Sequence, residues 1–98
     1  MPPSEDRMAA FHDQALEAMD RLLAKRPQKE DHAFSEATRC LCALRDELIR
    51  RQSGADASPE ERGQLERLNA VISVVVGGHF PLESIPWDEI EKARSWIT

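Results

Sequence analysis

No stretch of this chain is long and apolar enough to cross a membrane. Its longest apolar run lies within Leu65–Phe80 and falls short of the roughly 18 residues a span needs. No basic segment leads into an apolar one near the start, so no secretion signal is read and a cytoplasmic location is expected by default. The metal-binding spacings CxxC, HxxxH and HExxH are all missing. His32 and Glu36 share a helix face, but two ligands do not make a site. Cysteine is scarce. Cys40 and Cys42 stand one residue apart, and on a helix they project about 200° from each other. They can neither bridge nor chelate one ion, and two such thiols suit a reducing compartment.

Positive charge is also in deficit. Thirteen Lys and Arg against 18 Asp and Glu leave a net charge of −5. Non-specific nucleic-acid binding needs phosphates to be neutralised, so it is not expected. Lys25, Arg26 and Lys29 mark one loop, and Arg50 and Arg51 end a helix at the other end of an antiparallel pair, so they cannot merge into one patch. Gly77-Gly78 follows an apolar helix rather than opening one, which places it at a negative dipole end unsuited to phosphate. The three histidines, His12, His32 and His79, are spread along the chain, and nothing pairs them with a cysteine nucleophile. No catalytic residue, metal ligand or cofactor is expected, and the chain is read as a non-enzyme.

The segment from Leu65 to Phe80 organises what is present. Val74-Val75-Val76 suits a strand, but Leu65, Leu68, Val71, Ile72, Val75 and Val76 recur at helical intervals. Ser58 and Glu61 form a capping box around Pro59, a start signal. Gly77-Gly78 is read as the stop. The expected helix is 59–76.

The other elements follow the same logic. Met8, Phe11, Ala15, Met19 and Leu22 give the stripe of a first helix over 4–25, capped by Ser4 and closed before Pro27. Asp31 caps a second helix over 31–51, whose seam is Phe34, Ala37, Leu41, Leu44 and Leu48, with Glu47 on the wet side. Gln52–Ala57 is a polar loop. Phe80, Leu82 and Ile85 are read as a lid, and Pro86 opens a fourth helix over 86–97 with Trp87, Ile90, Ala93 and Ile97 inside. The fold class is all-α: one domain over 1–98, a small antiparallel bundle of three longer helices and a short C-terminal one.

Some apolar side chains fall off these stripes. Val74 points about 130° from the centre of its stripe and Trp96 about 120° from its own. Cys42 and Ile49, seven apart, make a third patch. Val74, Trp96, Cys42 and Ile49 are therefore the candidate interaction surface, since tryptophan is enriched where partners bind. The expected function is that of a small acidic adaptor or regulatory protein working by protein contact. It is read as self-associating, as a homodimer through Trp96 and the Val74 side, with no nucleic-acid or membrane partner. The alternative is a small-molecule-binding bundle with a pocket at His79, Phe80 and Trp87.

Overall fold

A computed structural model describes residues 3–28, 31–52, 58–80 and 84–98, with side chains from residue 7 onward. Helix α1 spans Pro3–Lys25, α2 His32–Gln52, α3 Pro59–His79 and α4 Trp87–Arg94, with a 3₁₀ turn at Ser95–Ile97. The described residues contain no strand, and the valine run is helical throughout. The side chain of Ser4, Lys29, most of the Gln52–Ala57 loop and Leu82 lie outside the described side chains.

The start signals work as their chemistry requires. Asp31 Oδ1 accepts the Ala33 amide at 2.9 Å at the head of α2. Ser58 Oγ accepts the Glu61 amide at 3.1 Å while the Glu61 carboxylate receives the Ser58 amide at 3.3 Å, the reciprocal box at the head of α3. α1 stops at Lys25, and Arg26 takes the left-handed conformation (φ 42°) as its amide donates to the Leu22 carbonyl.

The stop signal for α3 acts differently from the expectation. The helix runs through both glycines to His79, and neither glycine has a positive φ. Gly78 serves packing instead: a Cβ there would sit 2.9 Å from Ile90 Cδ1 and 3.7 Å from Phe34 Cε1. The missing side chain lets α4 cross close to α3.

Antiparallel register between α2 and α3 is pinned at both ends. Gln52 Nε2 donates to the Glu61 carbonyl at 3.0 Å, and Phe34 stacks on His79 with ring centroids 4.9 Å apart. α4 lies against α1 in the reverse sense. Arg26 pairs with Glu91 at 3.0 Å, Arg94 with Asp20 at 2.5 Å, and His12 Nε2 donates to the Ile97 carbonyl at 2.5 Å. These three ties fix the eleven residues of α4 and the 3₁₀ turn across the α1/α3 opening.

The core runs down the bundle axis: Ala15, Ala18, Met19 and Leu22; Phe34, Ala37, Cys40, Leu41 and Leu44; Leu68, Val71 and Val75; Ile90 and Ala93. Each large member contributes about 1.5–3 kcal/mol by leaving water. Two positions depart from the sequence reading. Val76, assigned to the α3 stripe, is 39% exposed because it sits at the stripe's edge, where α2 does not cover it. Glu47, assigned to the wet side, is 5% exposed. Its carboxylate is held by the Arg50 guanidinium, with Arg7 of α1 and Arg51 also acting on it through their charge.

Candidate interaction surfaces

Two features of the bundle surface stand out. The first is a stripe on the outer seam of α2 and α3. In α2, Cys40 and Glu47 feel the charges of Arg21 and Arg7 and so mark the flank toward α1. Cys42 and Ile49 lie on the opposite flank. In α3, Gly78 marks the flank toward α4, and Ile72 and Val76 lie away from it. The register set by Gln52–Glu61 places Ile49 level with Gln64, one step from Leu65, and Cys42 level with Val71, one step from Ile72. Ile49, Val76 and Phe80, the large apolar side chains exposed among the described residues at 46%, 39% and 66%, therefore share this seam. Half-buried Leu65, Cys42 and Ile72 join them into a stripe about 22 Å long. No charged residue occurs in α3 from Leu68 to Gly78, so little charge has to be desolvated there.

The second feature comes from the shortness of α4. With eight residues it reaches about 12 Å, against about 30 Å or more for its neighbours. It fills the fourth corner of the bundle only at the Phe34 end. At the other end a cleft of about 650 Å³ remains. α1 lines it with Met8, Ala9 and His12, α2 with Leu44, Leu48 and Arg51, α3 with Gln64, Arg67 and Leu68, and Trp96 to Thr98 form its closed end. No Asp or Glu side chain lines it among the described residues.

The residues singled out from sequence fall in three places. Cys42 and Ile49 lie on the stripe. Val74 is half-buried, packed against the core on the α4 flank, the face it shares with Gly78. Trp96 is half-buried too, packed against the core at the end of the cleft. Its angle was reckoned for a continuous α-helix, but the backbone tightens to 3₁₀ at Ser95, which turns the indole toward the bundle. Val74 and Trp96 therefore lie on one side of α3, and Cys42 and Ile49 on the other. His79 and Phe80 stack on each other, and Phe34 links them to Trp87. Phe34 stacks between His79 and Trp87, whose centroid is 5.6 Å away, and Phe80 stacks on His79 at 4.3 Å. The Arg26 guanidinium caps Trp87 at 6.0 Å.

The cleft was not foreseen. Its signal in the sequence is the mismatch between an eleven-residue final segment and neighbours of 21 to 23 residues. The stripe's extent was missed because Val76 and Phe80 were assigned inward.

The thiols differ in setting. Cys40 is buried, and removal from water pushes its pKa up, opposed by the Arg39 charge. Cys42 is half-buried on the stripe. Among the described residues no three His, Cys, Asp or Glu converge as metal ligands, and no helix is long and apolar enough to cross a membrane. The fold is that of a small all-α bundle, and comparison with protein-family models, curated proteins and solved structures finds no match for this chain.

Proposed function

We propose that this is a non-enzymatic interaction protein of the adaptor or regulatory kind, and that it self-associates as a two-fold dimer through the α2/α3 stripe. One observation carries the reading: Ile49, Val76 and Phe80, all exposed, converge on one seam rather than scattering over the surface. Single exposed apolar residues are ordinary, whereas a continuous stripe is where association occurs.

A two-fold axis across the stripe lets one patch serve both subunits, α3 packing on its own copy. The molecule measures 43 × 23 × 17 Å, so its long face can supply the roughly 800 Å² per partner of a standard interface. Each Å² of apolar surface covered contributes roughly 25 cal/mol. Arg45 borders the seam and is already paired with Asp46 at 3.5 Å, so the approach of two copies does not bring bare like charges together there.

Sedimentation equilibrium tests this with the native protein, Val76→Glu and Trp96→Ala. The native chain is expected to dimerise at about 100 μM, a weak-dimer concentration, Val76→Glu to be monomeric, and Trp96→Ala to remain dimeric. A monomeric native protein ends the proposal. A dimer broken by Trp96→Ala but not by Val76→Glu moves the interface to the α4 flank and overturns the stripe.

A further inference from the structure

We infer that the cleft at the open end of the bundle is a docking site for an acidic amphipathic helix of another protein. This inference does not depend on the dimer stripe, which lies on the other flank of α3.

The shape argument comes from the fold. α1, α2 and α3 form three sides of a four-helix arrangement, and α4 supplies only half of the fourth. The lining helices present about one to two turns each to the vacant half: Met8 to His12, Leu44 to Arg51, and Gln64 to Leu68. The cleft is a trough open along one side, and its walls are side-by-side antiparallel helices. Ridges and grooves of that kind accept another helix at a shallow angle. α4 itself shows the pattern, with Ile90 and Ala93 facing inward and Asp88, Glu89 and Glu91 exposed.

The charge argument chooses the occupant. Arg51 and Arg67 stand on the walls, on α2 and α3 respectively, and neither lies within ion-pair distance of a carboxylate among the described residues. Arg51 acts on Glu47 through its charge alone, and Arg50 already binds that carboxylate. Arg67 folds back along its own helix, its Nη1 3.3 Å from where a Gly63 Cβ would stand. In a chain carrying −5 overall, two arginines facing an apolar floor of Met8, Leu48 and Leu68, with no Asp or Glu side chain among the described lining residues, are complementary to a helix with an apolar face and acidic flanks. Trp96 at the closed end is the aromatic anchor for the incoming helix terminus.

The test is a displayed library of 14-residue helical peptides, fixed apolar on one face and random at the flanks. It is selected on the native protein and on an Arg51→Glu/Arg67→Glu variant. Both baits are repeated in a Val76→Glu background, which alters the stripe and leaves the cleft intact. Both arginines are exposed, so the variant is expected to fold, which circular dichroism checks. The native bait is expected to enrich Asp and Glu at the flanks and the reversed bait Lys and Arg. Synthesised native-bait peptides should lose about tenfold in affinity on the reversed protein, as two exposed ion pairs made repulsive would give. Bound peptide should shift the amides of His12, Leu48 and Gln64. The inference is overturned if both baits enrich the same sequences, if nothing is enriched, or if the shifts fall on Ile49 and Val76. It is equally overturned if dodecanoate moves the cleft amides while no peptide binds, which would make the cleft a small-molecule site. Loss of binding only in the Val76→Glu background would mean that the peptide reads the dimer rather than the cleft, and would overturn it as well.

Discussion

Adding one methyl group at Gly78 measures how closely α4 approaches α3, and its neighbour supplies the control. Gly77 and Gly78 both lie in the last turn of α3 with negative φ. Alanine at either position gains the same helix preference, at most about 1 kcal/mol over glycine. Their surroundings differ. A Cβ at Gly77 meets nothing within 4 Å, whereas at Gly78 it falls 2.9 Å from Ile90 Cδ1, with Ile90 Cγ1 at 3.6 Å and Phe34 Cε1 at 3.7 Å. The Ile90 methyl is the mobile end of its side chain, but Ile90 and Phe34 are both wholly buried, so it cannot swing out to solvent. Overpacking of this kind costs about 1–3 kcal/mol. Gly77→Ala is therefore expected to stabilise by up to about 1 kcal/mol, while Gly78→Ala is neutral or destabilising by up to about 2 kcal/mol. The difference between the two variants isolates the overpacking cost, because the helix preference cancels. Urea unfolding followed by far-UV circular dichroism, with slopes compared to exclude changes in the denatured state, reads it directly. Two variants stabilised equally, within about 0.5 kcal/mol, would show that α4 does not pack on Gly78.

Two further outcomes follow from the described side chains. Cys40, buried and with its thiol pKa raised by desolvation, is expected to react with a thiol reagent more slowly than half-buried Cys42. Mass spectrometry of partly labelled protein checks this, and faster modification of Cys40 would mean that α2 is rotated about its axis. Glu47 is held below the ordinary glutamate value of 4.5 first by its hydrogen bond from Arg50 and further by the charges of Arg50, Arg7 and Arg51, against the opposing effect of desolvation. A carboxylate with a depressed folded pKa stabilises fully above its unfolded value, and that contribution fades as pH falls through the folded one. The stability gap between native protein and Glu47→Gln should thus be constant from neutrality to about pH 5 and narrow below the ordinary glutamate range. Denaturant midpoints from pH 7 to 3 would show it, and a gap that does not change across that range would remove the ionic role of Glu47.

Local signals in the chain determined most of the helices and where they begin. Capping at Asp31 and Ser58 depends on residues two or three positions away, and apolar spacing on a single helix geometry, so both can be read without knowing what lies opposite. Periodicity likewise outweighed the strand preference of Val74–Val76, because Leu65, Leu68, Val71, Ile72 and Val75 recur on one helical face. What the local signals could not decide was the partner of each face. Gly77-Gly78 carries the same chemistry for a helix stop as for a close helix crossing, and only the arrival of Ile90 from α4 selects the second. Glu47 and Val76 exchanged the surroundings expected of them for the same reason. Burial at the edge of a stripe depends on the direction from which the neighbouring helix approaches, and that direction is set by long-range ties such as Arg94–Asp20 and His12–Ile97. The switch from α to 3₁₀ at Ser95 turned Trp96 inward, a change of one hydrogen-bond step that spacing does not announce. The stripe and the cleft are thus tertiary facts. Each is made by side chains from two or more helices, and the cleft exists because the fourth helix is too short for the corner it occupies.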